Sequence, residues 1–281
     1  MNSQNTKQLV NTHQKLIRNW TKHKRLCIVC GACPATTKDH LPPKVLLPKD
    51  IRANEILFTF PVCSDCNNAS SDTDFLMGVA FTLQLNQKNY LSDLAPINGD
   101  LSVLHNQLVS QLSTSDKAEQ HLELLRRYTE VRDVAIEENG RLITKRQMGI
   151  DLSKVDINRT LIKITKAVYW LHSEGDILAL TNPGWWIRNN IDPSRPNFIE
   201  HHLGKTAVEV LWDDRFIYHY ILGKEVPGFL MCSLHFYSQK RLDQGIHHLV
   251  YVSPKNMTIE GESLYEKSVK RWGRPTIPAS E

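Results

Sequence analysis

Apolar positions recur at helical spacing along most of the chain and switch to strand-like runs near its end. Leu9, Val10, Leu16, Ile17 and Trp20, with His13 among them, predict an amphipathic helix over residues 6–22. The run FLMGVAFTLQL at 75–85 reads as a buried helix. Leu122, Leu125 and Tyr128 share one face of a helix predicted over 117–131. Ile157, Leu161, Ile164, Val168 and Leu171 set a further helix over 155–172, with Asp156 as its N-cap and Gly175 just past its end. Residues 91–118 mix helix and loop signals, and Glu138-Asn139-Gly140 marks a turn.

The texture then changes. Residues 206–212, 215–222, 229–237 and 247–253 are β-branched, aromatic and partly alternating, and Gly223, Pro227 and Gly245 punctuate them. These runs predict an antiparallel sheet closing the C-terminal part of an α+β protein with a helical middle. A chain of 281 residues is long enough for two domains.

Charge alters this picture by its distribution. The net charge is only +4, yet up to Phe60 ten Lys and Arg face three Asp and Glu. A basic front suits a phosphate backbone, although a solvated basic surface accounts for the charge alone. No apolar run approaches the ~18 residues of a membrane span. The start, MNSQNTKQLVNTHQ, carries no secretory h-region, so a cytoplasmic location is expected.

Six cysteines stand at 27, 30, 33, 63, 66 and 232, and four of them form two CxxC pairs. Clustered thiols in such a chain point to metal rather than to disulfides. Cys27, Cys30, Cys63 and Cys66 supply the four thiolates of a closed structural zinc site. Cys30-Gly31-Ala32-Cys33 is a CxxC as well; Gly31 directly after Cys30 favours the Cys27/Cys30 knuckle. Residues 31–62 lie between the pairs, more than the ~15–20 of a simple zinc ribbon. That stretch holds Asp39-His40 before Pro42-Pro43 and a strand-like run from Ile56 to Val62. Asn67 and Asn68 follow Cys66 directly.

CIVCG at 27–31, KDHLPPK at 38–44 and CSDCNNASSDTD at 63–74 together resemble the HNH endonuclease superfamily, specifically its bacterial zinc-knuckle members of ββα-metal type. The resemblance covers residues 26–76. It implies a basic helical arm (1–25), an HNH domain with structural zinc (26–90), and a mixed helical and antiparallel β region of unknown role (91–281). Phosphodiester hydrolysis needs a base to activate water and a cation on the phosphate. By resemblance His40 is the base, and Asp39 and Asn67 hold Mg²⁺ or Mn²⁺, hard cations that prefer oxygen ligands. Ser71 and Asp74 lie on the helical face of Asn67, so Asp74 can join or orient the metal shell. Asn54 is the candidate for the middle Asn of the motif, although it lies further before Cys63 than the family pattern has it.

The implied activity is metal-dependent cleavage of nucleic acid, DNA rather than RNA, in phage defence or a mobile element. Residues 91–281 would meet a regulatory protein partner or ligand. The rival is a zinc-ribbon module that binds nucleic acid or protein without cutting. Elsewhere the signals are structural. Lys38 and Lys44 read as solvated, Cys232 as core, and Trp185-Trp186 as core before a base-stacking pair. His201-His202 and His247-His248 read as ordinary strand-end histidines.

Overall fold

The computed structural model describes residues 3–91 apart from 24 and 48, most of 106–189, 207–237 apart from 213–214 and 224–225, and strand residues 246–254, 258–259 and 262–263. In chain order these form α1 (Ser3–His23), β1 (Thr37–Leu41), α2 (Lys49–Asn54), β2 (Phe58–Val62) and α3 (Ser64–Leu91). Then come α4 (Ala118–Arg126), β3 (Thr129–Glu138), β4 (Arg141–Ile150) and α5 (Asn158–His172). The remaining strands are β5 (Pro183–Asn189), β6 (Ala207–Leu211), β7 (Phe216–Leu222), β8 (Leu230–Phe236), β9 (Ile246–Pro254), β10 (Thr258–Ile259) and β11 (Glu262–Ser263). Two compact units result: Met1–Ser70 with Asn158–Glu281, and Ser71–Ile157.

In the first unit a five-stranded antiparallel sheet runs in the order β5-β9-β8-β7-β6. Its central strand, β8 (LMCSLHF), is apolar along nearly its whole length and buried on both faces. A central strand covered on both sides loses the polar alternation that a half-solvated one keeps. Cys232 sits there fully buried, as its sequence neighbourhood predicts. The edge strand β6 is the most exposed of β6, β7 and β8.

Helix α5 has ten of its fifteen residues buried, Thr160, Lys163 and Thr165 among them, which makes it an interior helix rather than a surface one. It is tied to the sheet by polar contacts at its C-terminal half. The buried Tyr218 hydroxyl and His172 Nε2 share a hydrogen bond at 2.9 Å, and Tyr220 stacks on the same ring at 4.0 Å. The Gly228 amide donates to the Tyr169 hydroxyl at 2.9 Å. Gly175 ends the helix with φ +101°, and a side chain there would also press on Leu16 of α1. Helix α1 packs its Leu9, His13 and Leu16 face inward. His13 Nε2 meets the backbone of Thr59 on β2, 2.7 Å from its oxygen.

His172 fixes a pH dependence. Burial lowers its pKa from 6.5 to about 4. The folded chain therefore resists a proton that the unfolded chain accepts. Stability is full above pH 6.5 and falls as the pH drops towards 4, by about 2 kcal/mol at pH 5 from this ring. Urea denaturation at pH 7.5 and pH 5 measures it. His172→Gln should shrink the acid loss by that amount.

In the second unit the remainder of α3 meets α4. Phe75 stacks on His121 with ring centroids 4.0 Å apart, and Gln120 reaches Asp72 at 3.1 Å. Beyond α4 the structure departs from the sequence expectation. The helix predicted over 117–131 stops at Arg126, and 129–138 pairs with 141–150 as an antiparallel hairpin from Thr129↔Ile150 to Glu138↔Arg141. The helical middle is thus half hairpin. Gly140 takes φ +73° at its tip, the conformation a tight strand reversal needs. Strand β5, carrying Trp185-Trp186, is likewise an addition to the expected sheet. The mixed signals of 91–118 fall largely, and His201-His202 wholly, outside the described residues. No described helix is long and apolar enough to cross a membrane.

Candidate metal centre and the polar site beside it

The first knuckle is shaped by its own backbone. Gly31 N–H donates to Cys27 O at 2.8 Å, and Gly31 holds φ +69°, which a side chain would resist. The Val29 amide points at Cys27 Sγ at 3.4 Å. The second knuckle uses the start of α3. The Cys66 amide points at Cys63 Sγ at 3.4 Å, and Asn67 N–H donates to Cys63 O at 3.0 Å.

Between them the sulfurs of Cys27, Cys30, Cys63 and Cys66 all lie within 4.8 Å of one another. Cys30 and Cys63 Sγ are 4.0 Å apart, near the ~3.8 Å edge of a tetrahedron with Zn–S bonds of ~2.3 Å. Cys33 stays exposed and outside the group, which settles the choice of knuckle. Burial pushes the Cys27 and Cys66 thiols up. Burial opposes ionisation of Cys30 too, but hydrogen bonds from the Cys33 and Ala32 backbone bring it down to about 6. Four thiolates cannot share so small a volume without a cation, and a metal such as zinc fits the donor set. Lys166 of α5 adds a positive charge nearby. Its Nζ donates to Val29 O within the first knuckle and lies 5.7 Å over the Trp185 ring.

The polar site stands on the strand pair that the knuckles enclose. β1 and β2 run antiparallel with Thr37↔Val62, Asp39↔Phe60 and Leu41↔Phe58 in register, and α3 follows β2. Strand alternation puts Thr37, Asp39 and Leu41 on one face, and Lys38 and His40 on the other. Asn67, on the first turn of α3, donates from Nδ2 to Thr37 Oγ1 at 3.3 Å. Asp39 and Asn67 therefore address the same side of β1.

Asp39 is buried, and both of its oxygens are engaged. Oδ1 accepts from the His40 amide at 2.7 Å; Oδ2 accepts from Lys163 Nζ at 2.7 Å. Lys163, on α5 and almost wholly buried, also donates to Ser70 Oγ of α3 at 2.9 Å. His40 is half-buried. Burial first, then the Lys44 charge, lowers its pKa to about 4 against the opposing pull of Asp39, so the ring is neutral at pH 7 and a weaker base than a free imidazole.

The other candidates stand on other parts of the chain. Asn54 closes α2, in the connection between β1 and β2. Asp74 lies seven residues beyond Asn67 on α3, within the second unit. Lys38 and Lys44 are exposed. Lys163 and Lys166 do not belong to the motif that marks the site in sequence, and Ser70 lies within its 63–74 stretch without being singled out there. The two lysines stand three residues apart in a helix with ten of its fifteen residues buried, and nothing in that spacing names their partners.

Carboxylate and amide oxygens are the donor types a hard divalent cation takes. The charge balance fits it less well, because the Asp39 carboxylate is already neutralised by Lys163. No protein-family model matches this chain, and neither a curated protein nor a solved structure shows significant similarity to it.

Proposed function

We propose that this chain is a metal-dependent endonuclease of the HNH type, hydrolysing phosphodiester bonds of nucleic acid, DNA in preference to RNA. The observation that carries this reading is the placement of the motif residues on one strand and one helix start, with Asp39 and Asn67 on one side of β1 and His40 on the other. Asp39 and His40 sit on β1, and Asn67 sits one residue past a cysteine of the metal cluster. In this reading His40 takes the proton of the attacking water as a neutral imidazole. Asp39 and Asn67 would hold Mg²⁺ or Mn²⁺, which when bound stabilises charge on the phosphate and leaving oxygen. The cysteine cluster, with zinc as its metal, holds the two strands and the helix in place. Residues 91–281 are open to a regulatory partner or ligand, and a role in phage defence or in a mobile element would suit such control.

A second reading draws on one specific contact. The Lys163–Asp39 pair gives Asp39 a structural partner, as a non-cleaving zinc module for nucleic acid or protein would have. A cleavage panel separates the two readings. Supercoiled plasmid, single-stranded DNA and RNA are incubated with the zinc-loaded protein and Mg²⁺ or Mn²⁺. The nuclease reading expects nicking or digestion of at least one DNA substrate that needs the added cation. Binding without cutting, in every combination, favours the module.

A further inference from the structure

Lys163 reaches Asp39 from 124 residues further along the chain, and its side chain is only 2% exposed. An ammonium so buried is stable there only if it is paired and hydrogen-bonded, and Asp39 Oδ2 and Ser70 Oγ provide that pairing. The same contact neutralises the Asp39 carboxylate, which the site offers to a cation. We propose that Lys163 is the built-in counter-ion of Asp39, displaced when a divalent cation binds, so that Lys163 sets how tightly the site takes Mg²⁺ or Mn²⁺. This rests on the reading of Asp39 as a ligand.

The geometry explains why displacement is required. A metal bound to either oxygen of Asp39 would face an ammonium held 2.7 Å from the same carboxylate, with little water between to screen the two. Attraction between carboxylate and metal must therefore outweigh the loss of an existing ion pair. Ser70 holds Lys163 from α3 and so joins the helix that carries Asn67 to the counter-ion. The cation affinity of the wild type is low as a consequence, and removal of the rival charge raises it. Lys163→Gln keeps an amide donor for Asp39 and Ser70 while removing the charge; Lys163→Met removes both.

Mn²⁺ binding to the full-length, zinc-loaded chain, followed by electron paramagnetic resonance of free Mn²⁺, tests the proposal. The dissociation constant should fall at least tenfold in Lys163→Gln and in Lys163→Met. Asp39→Asn in the Lys163→Gln background should abolish that gain. Circular dichroism checks that each variant folds, and a wild-type measurement stands beside them. Labelling of the Lys163 amine by acetic anhydride, read by mass spectrometry, should rise at least threefold once Mn²⁺ is bound. An unchanged or weaker Mn²⁺ affinity in Lys163→Gln overturns the counter-ion role, as does unchanged labelling with Mn²⁺ bound. If the wild type binds Mn²⁺ and Asp39→Asn does not, while Lys163→Gln binds as the wild type does, the counter-ion role fails alone. If neither wild type nor variants take up Mn²⁺, the reading of Asp39 as a ligand fails with it.

Discussion

Removal of the metal from the cysteine cluster should unfold the front of the chain, not merely loosen it. The two strands there are five residues each, too little to stand alone in water. Cys27 and Cys63 are buried, so an emptied cluster leaves their thiols in the core without the cation that ties the two knuckles together. Structural zinc contributes about 10–16 kcal/mol to folding where it has been measured, against ~5–15 kcal/mol for the net stability of a whole domain. Cys63→Ser is expected to lower zinc from about one per chain to well below half. It should also strip hydrogen-exchange protection from 27–66 while β7, β8 and β9 keep theirs. Cys33→Ser should do neither. Zinc content and exchange rates on the same preparations decide it. Retention of zinc and protection in Cys63→Ser would remove the cluster from its structural role.

The second large effect falls on chemistry. If the proposed nuclease activity holds, His40→Ala should lower cleavage by about 10²–10⁴-fold, the range that positioned proton transfer supplies. Stability should change little, because His40 is only half-buried and lies on the face of β1 opposite Asp39. Initial cleavage rates and thermal melting of the two proteins make the comparison. A variant that cuts at the wild-type rate sinks His40 as the base. A variant that fails to melt cooperatively shows instead that His40 is a folding residue.

The parts of the site that were legible in sequence are the local ones. A knuckle is a matter of five residues, and Cys27, Cys30 and Gly31 carry its geometry wherever the chain later goes. Asp39-His40 on a strand and Asn67 at a helix start came from the resemblance, which rests on equally short stretches of sequence. The sheet was readable for a similar reason, down to Cys232 in its central strand. Residues 127–131 were misread because Leu122, Leu125 and Tyr128 kept helical spacing while Gly140 imposed a reversal that makes 129–138 a strand. Lys163 and Lys166 were missed on other grounds. Their meaning lies wholly in what they touch across 124 and 137 residues, and no local pattern encodes such a partner. Asn54 is ordered at the end of a helix, and nothing in its position favours or opposes a bracing role.

The distance between Asp39 and Lys163 along the chain also has a temporal meaning. A ribosome adds about 5–20 residues per second, so roughly 6–25 s pass between the synthesis of Asp39 and that of its partner 124 residues on. Through that interval both knuckles and the first turn of α3 can already be made, while the carboxylate has no ammonium beside it. A nascent chain would thus meet the cell's divalent ions before it meets its own lysine.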